Sequence, residues 1–229
     1  MPAPQLLEAL EIETAPHPAF SIIVLHGLGA DGHDFVPICD ELDLRALGGI
    51  RFVFPHAPVM PVTINGGYEM RAWYDIIPTP QGGRIEDEAG LRRSQQAIEA
   101  LIAREVARGI PASKVVLMGF SQGCAMSLMA GLRHPDALAA LVGLSGYLPL
   151  PEHTATERSS ANQHTPVFMA HGTHDDVVVP RRGLAAFEQL QQWGYPVQWH
   201  DYPMAHSVCP QEIADLNAWL LQVLAPKVA

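Results

Sequence analysis

Cysteine is scarce in this chain. Cys39, Cys124 and Cys209 are its three cysteines, and the odd number leaves at least one thiol unpaired within the chain. That excludes a disulfide-stapled scaffold and makes a reducing cytoplasm the expected compartment. Long apolar runs are missing too: no stretch approaches the ~20 residues that cross a bilayer, so no membrane span is expected. The opening residues, Met1 to Glu8, have neither a basic start nor a long apolar run, and do not read as a secretion signal. Positive charge is the third deficit. Lys and Arg number 14 against 24 Asp and Glu, for a net charge of −10, which argues against nucleic acid or an anionic membrane surface as the main partner. Repeats, low-complexity tracts and Gly/Ser-rich linkers are also absent. What is left, at 229 residues with 48% apolar and 17% charged, reads as one soluble globular domain, residues 1–229, large enough for a real core.

Short apolar runs alternate with longer helical patterns, and that alternation predicts an α/β fold in layers. Strands are expected at Ser21–Leu25, Arg51–Phe54, Val115–Gly119, Ala140–Leu144, Pro166–Ala170 and Val197–Tyr202. Leu6–Glu13 fits either an added edge strand or a helix. Helices are expected at Phe35–Leu42, Glu88–Arg108, Gln122–His134, Arg182–Trp193 and Gln211–Leu224. In the second of these, Leu91, Ile98, Leu101, Ile102 and Val106 recur mostly at three- and four-residue steps, giving one buried face. Gly109 and Pro111 then stop it. Pro55 to Asp87 breaks the alternation: it is rich in Pro and Gly, has no clear period, and carries Ile64, Tyr68, Trp73, Tyr74, Ile76 and Ile77. Irregular segments of this length in compact domains are usually functional. Two readings stand side by side: an acyl-binding groove in which Ile64, Trp73, Tyr74 and Ile76 touch substrate, or a loop whose aromatics complete the core.

The sequence Gly119-Phe120-Ser121-Gln122-Gly123 follows an apolar strand and opens a helical pattern. That is the context of a nucleophile elbow, in which a serine sits on a sharp strand-to-helix turn flanked by small residues. The turn also places Ser121 at a helix N-terminus, where free backbone N–H groups favour developing negative charge. Serine is unreactive at neutral pH without a base, and the base needs an orienting acid. Downstream, the strand Pro166–Ala170 runs into His171-Gly172-Thr173-His174-Asp175-Asp176, where Asp175 is the first choice of acid and Asp176 the second. The strand Val197–Tyr202 leads into Pro203-Met204-Ala205-His206-Ser207, which makes His206 the best base. His200 and His134 read as structural, and His17, His153 and His164 as solvated. A pocket role stays open for His33 and His56.

An oxyanion hole needs two backbone N–H donors. Gln122, next to the nucleophile, supplies one. The Gly-rich loop His26-Gly27-Leu28-Gly29 after an early strand offers the Leu28 N–H as the other. Gly27, Gly29 and Gly32 also match the spacing of a dinucleotide-binding turn. Such a turn expects an acid about 20 residues on at the end of the next strand, and that strand instead ends in Pro55-His56. His171, His174, Asp175 and Asp176 together could bind zinc, but no short His pair of metal-site spacing accompanies them. No metal and no cofactor is therefore expected. A hydrolase-like fold kept only as a ligand-binding protein is the non-enzyme alternative.

Taken together, these segments resemble the phospholipase/carboxylesterase family, which includes the acyl-protein thioesterases and lysophospholipases. The resemblance spans almost the whole chain. It rests on His26-Gly27-Leu28-Gly29-Ala30-Asp31-Gly32, Arg71-Ala72-Trp73-Tyr74-Asp75, the Gly-Phe-Ser-Gln-Gly elbow at 119–123, and His171-Gly172 with Asp175. One departure is visible: Ala205 stands before His206 where the family usually has Gly. The resemblance implies a three-layer α/β/α sandwich, the α/β-hydrolase fold, with a mostly parallel central sheet. It implies Ser121, Asp175 and His206 as catalytic triad, favouring Asp175 over Asp176, and Leu28 and Gln122 as oxyanion donors. It also implies an ester or thioester substrate and a weak homodimer. The segment Tyr147–Thr165 is too short for a large lid, so an open site for short or medium acyl chains is expected.

Overall fold

In the computed structural model, residues 6–81 and 83–225 are described. Residues 1–5, which carry most of the leader reading, lie outside them, as do Gly82 and residues 226–229.

The chain opens with strands β1 (Ala9–Glu13), β2 (Phe20–Leu25) and, after a single helical turn α1 (Ile38–Glu41), β3 (Ile50–Pro55). Two hairpins follow, β4 (Val59–Val62) with β5 (Tyr68–Arg71), then β6 (Ile76–Pro78) with β7 (Arg84–Glu86). The rest alternates: α2 (Glu88–Ala107), β8 (Val115–Phe120), α3 (Gln122–Gly131), β9 (Ala140–Leu144), α4 (Pro151–Glu157), β10 (Val167–Gly172), α5 (Pro180–Gln192), β11 (Val197–Tyr202) and α6 (Pro210–Leu224). Seven strands form one sheet in the order β1-β3-β2-β8-β9-β10-β11. Its pairs are parallel except β1 against β3.

The central strands read as unbroken apolar runs because both sheet faces are covered. Alternate residues go to opposite cores. Ile23, Leu25, Leu117 and Met169 pack with α2, α3 and α5, while Ile22, Val24, Met118 and Phe168 pack with α1 and α6. Helix α3 is buried at every position, so its sequence shows no amphipathic stripe. The register aligns Leu25 with Gly119, Phe120 with Leu144, and Gly172 with Tyr202. The carboxyl ends of these strands therefore share one sheet edge, where open α/β sheets carry their ligands.

Four expectations are corrected or sharpened by these elements. Leu6–Glu13 resolves as the antiparallel edge strand β1. The helix expected at Phe35–Leu42 is instead a 3-10 turn at Gly32–Phe35 and the single turn α1. Pro37, between them, has no N–H to continue a helical ladder. The helix expected to reach His134 ends at Gly131, just short of Pro135. The segment Pro55–Asp87 is not structureless. Its hairpin strands span only three or four residues each, and Pro61 and Pro78 sit within them, too short for a period to show.

Glu212, in the first turn of α6, is fully buried. Burial is the main cause that pushes its carboxyl from 4.5 up to about 7, opposed in part by the Cys209 backbone. Because the folded state holds the proton more tightly than the unfolded chain, the associated stability is full below about pH 4.5 and is lost as pH rises through 7. Glu212→Gln should therefore raise stability at pH 8.5 by roughly 2–3 kcal/mol and flatten the pH dependence between 4.5 and 7. Urea denaturation across that range reads it directly; an unchanged midpoint at pH 8.5 contradicts the assignment.

Candidate active site

Gly119 and Gly123 bracket a turn that no side chain could enter. A Cβ on Gly119 would lie 2.0 Å from the Gly123 carbonyl oxygen, and one on Gly123 would lie 1.9 Å from the Leu25 carbonyl oxygen. Between them Ser121 adopts φ 57°, ψ −116°, a region sparsely used by residues with a Cβ. The Ser121 N–H donates to the Leu144 carbonyl and its own carbonyl accepts from Ala125, so the strain is held from both sides.

Two distant loops bring their side chains to the serine. His206 Nε2 lies 2.9 Å from Ser121 Oγ, and His206 Nδ1 lies 2.7 Å from Asp175 Oδ2. The second contact fixes the proton on Nδ1 and leaves the Nε2 lone pair facing the hydroxyl. Asp175 is buried, and its other oxygen accepts the Val177 and Val178 N–H groups at 2.9 and 2.8 Å. His171 Nε2–H donates to the Val178 carbonyl at 2.7 Å and also lies 3.2 Å from Asp175 Oδ2. Burial lowers the His171 pKa, keeping this second imidazole neutral beside the Asp175 carboxylate.

The Gly-rich loop after β2 lies against the serine: a Cβ on Gly27 would stand 3.4 Å from Ser121 Cβ. Gly29, at φ 78°, takes the left-handed conformation that lets its N–H donate to the Arg71 carbonyl. Among the described residues neither the Leu28 nor the Gln122 N–H donates to a protein acceptor, and both residues line the cleft beside Ser121. Behind the loop, His26 accepts the Ala57 N–H through Nε2 and donates from Nδ1 to the Gly27 carbonyl. Burial lowers its pKa and so preserves that neutral, two-ended role.

The cleft measures about 400 Å³. Ile64 and Ile76 line it, together with Phe35, Phe120, Tyr147 and Arg182. Trp73 and Tyr74 do not. Trp73 is buried behind the Gly-rich loop, its Nε1–H donating 2.8 Å to the His26 carbonyl, while the Trp73 carbonyl accepts from the Ser94 hydroxyl. Tyr74 is fully buried with its hydroxyl 2.5 Å from that of Tyr147, and burial raises its pKa well above the ordinary range. The Gln122 side chain ties both down, accepting the Trp73 N–H and donating to the Tyr74 carbonyl. Both residues therefore shape the site from behind rather than touch what enters it. Phe35, Tyr147 and Arg182 had no motif to mark them, although each lies near a strand end on this edge.

The other histidines fall elsewhere. His134 bonds the Asp136 backbone and His200 stacks on Phe168. His56 is buried with Nδ1 accepting the Gly32 N–H, and His33 is exposed beside Asp31. Of the group that could have held zinc, His174 and Asp176 are exposed while His171 and Asp175 are turned inward.

A mostly parallel sheet, a serine on a strained strand-to-helix turn and an imidazole within hydrogen-bond reach define an α/β-hydrolase of the serine type. Residues 8–224 match the phospholipase/carboxylesterase family, and the chain belongs to that family. Among curated relatives, the acyl-protein thioesterase 1 of Neurospora crassa is 39% identical, over 99% of this chain and 93% of its own length. That of Yarrowia lipolytica is 38% identical over 90% of this chain and 92% of its own length. The crystal structure of Arabidopsis thaliana SOBER1 superposes with a TM-score of 0.82 at 31% identity, covering 90% of this chain and 99% of its own.

If Trp73 steadies the Gly-rich loop beside Ser121 without lining the cleft, Trp73→Phe should lower kcat for p-nitrophenyl butyrate about fivefold, the worth of one buried hydrogen bond. The ranking of acetate, butyrate and octanoate esters by kcat/KM should not change. A reordered ranking would return Trp73 to the acyl groove.

Proposed function

We propose that Ser121, His206 and Asp175 are the catalytic triad of a carboxylic ester and thioester hydrolase that works by two-step acyl transfer. The observation that carries this reading is the continuous pair of contacts from Ser121 Oγ to His206 and from His206 to Asp175, at 2.9 and 2.7 Å. As the serine oxygen attacks the carbonyl carbon, its proton passes to His206 Nε2. The Asp175 carboxylate stabilises the imidazolium that forms. The Leu28 and Gln122 N–H groups receive the oxyanion, each worth roughly 3 kcal/mol in comparable sites. His206 then gives its proton to the departing alcohol or thiol. Water then attacks the acyl carbon and gives its proton to His206, which passes it to Ser121 Oγ as the acid leaves, so the water supplies the proton that restores the serine.

An open cleft of about 400 Å³ with an apolar lining suits short to medium acyl chains. The relatives' names favour a thioester on a protein as one form of substrate, and the same carbonyl chemistry serves an ester. The reading takes the chain as a single catalytic domain that acts without metal or cofactor. Three unpaired thiols suit a reducing cytoplasm, and the family resemblance favours a weak homodimer.

Ser121→Ala should abolish hydrolysis of p-nitrophenyl butyrate while leaving thermal unfolding unchanged, and a fluorophosphonate probe should label the wild type at Ser121 alone. Asp175→Asn should lower kcat by about 10⁴-fold through the wrong imidazole tautomer. Turnover at the wild-type rate in Ser121→Ala would end the proposal, and a folded protein that resists the probe would point to ligand binding without catalysis.

A further inference from the structure

The cleft is electrically lopsided. Asp34 lies at the Phe35 side, whereas Arg84 and Arg182 line the side formed by hairpin β6–β7 and the start of α5. The hairpin register decides this. Ile76 pairs with Glu86, Ile77 with Ile85 and Pro78 with Arg84, so strand alternation puts Ile77 and Ile85 on one face and Ile76, Glu86 and Arg84 on the other. Ile77 and Ile85 are exposed, while Ile76 is buried against the cleft. Arg84 therefore shares the cleft side of the hairpin, at the rim, where its side chain stays exposed to solvent.

The two guanidinium groups differ in how they are engaged. Arg182 lies 2.6 Å from Glu86 and 3.4 Å over the Tyr147 ring, so its charge is already matched. Arg84 makes a single long hydrogen bond, 3.4 Å to the Val177 carbonyl, and has no carboxylate partner among the described residues. Arg45, Arg92, Arg108 and Arg133 each meet an Asp or Glu within 3.1 Å or less. Arg71 and Arg158 lack a carboxylate but bond the Ala57 carbonyl and Gln163 at 2.9 and 2.8 Å; of the arginines that line the cleft, Arg84 is the one without a carboxylate among the described residues. An unmatched guanidinium on the wall of an apolar cleft, in so acidic a chain, is a ready partner for a ligand anion, with planar donors spaced for a carboxylate or phosphate.

We propose that Arg84 reads a negatively charged group on the substrate, so that the preferred esters are anionic ones carrying a carboxylate or phosphate on the acyl or the alcohol part. This rests on the Ser121 reaction above and adds to it a substrate class. The anion would meet the Arg84 N–H groups at the hairpin end of the cleft while the reacting carbonyl lies at Ser121. The contact adds to binding and orientation and has no part in proton transfer.

The test pairs each anionic ester with a neutral one of the same length. Mono-p-nitrophenyl adipate against p-nitrophenyl hexanoate places the charge on the acyl part, and 4-acetoxybenzoate against phenyl acetate places it on the leaving group. Dividing the effect of Arg84→Gln on each anionic ester by its effect on the neutral partner cancels intrinsic reactivity. A selective loss of kcat/KM of about tenfold is expected in at least one arm, carried mainly by KM, largely rescued in Arg84→Lys and reduced by 0.5 M NaCl. The arm that responds tells which part of the substrate bears the anion. Equal effects of Arg84→Gln on charged and neutral esters in both arms would overturn the inference. Ser121→Ala, run on all four esters, keeps the two claims apart: its inactivity together with an indifferent Arg84→Gln sinks only the anion reader, and its activity sinks the triad.

Discussion

The tight elbow that joins β8 to α3 and packs against the end of β2 is the constraint on which the rest of this structure depends. Backbone runs so close to backbone there that hydrogens alone fit at Gly119 and Gly123, each added Cβ falling within 2.0 Å of a carbonyl oxygen. A non-glycine residue at φ 57° costs of order 1–3 kcal/mol. That cost persists only because the surroundings leave no alternative. Helix α3 is buried along its whole length, so it cannot slide or tilt to relax the turn. The loop after β9 closes the other side, since a Cβ on Gly146 would lie 2.3 Å from that of Cys124. Ser121 is aimed by close packing more than by any bond of its own side chain.

Rigidity of the same kind reaches the partner loops. The loop after β10 is also tied by backbone to the end of β11 and the loop that follows, Thr173 N–H to the Tyr202 carbonyl and His174 N–H to the Met204 carbonyl. Asp175 and His206 are thus set relative to each other before their side chains meet. The carboxylate is then held by Val177 and Val178, which orient one oxygen and leave the other for His206. Such preorganisation matters because an imidazole misplaced by an ångström forfeits much of the rate.

How much of this could be read from the sequence depended on how local the governing physics is. The elbow was legible because its requirement falls on five consecutive residues. The parallel strands were legible because burial on both faces leaves unbroken apolar runs at Ile22–Leu25 and Val115–Met118. Trp73 and Tyr74 were not, since an aromatic residue looks the same whether it lines a cleft or backs one. What separates the two cases is a long-range bond, from Trp73 to the His26 carbonyl or from Tyr74 to Tyr147. The hairpins β4–β5 and β6–β7 were hidden for another reason: their strands are too short to show alternation. With them was hidden the place of Arg84 at the cleft rim, which follows from register and from nothing in its neighbours.

Ala205 shows how a departure from a family pattern can be harmless for a definable reason. Glycine before the base is required only if φ is positive there or if a Cβ would collide. Ala205 has no positive φ and is exposed, so its methyl group meets neither condition. The close approach that the histidine loop does need is supplied from across the gap. A Cβ on Gly172 would fall 2.4 Å from the carbonyl oxygens of both Met204 and Ala205. The indispensable glycine of this crossing therefore belongs to the loop that carries Asp175, and the residue before His206 is free to vary because Gly172 is not.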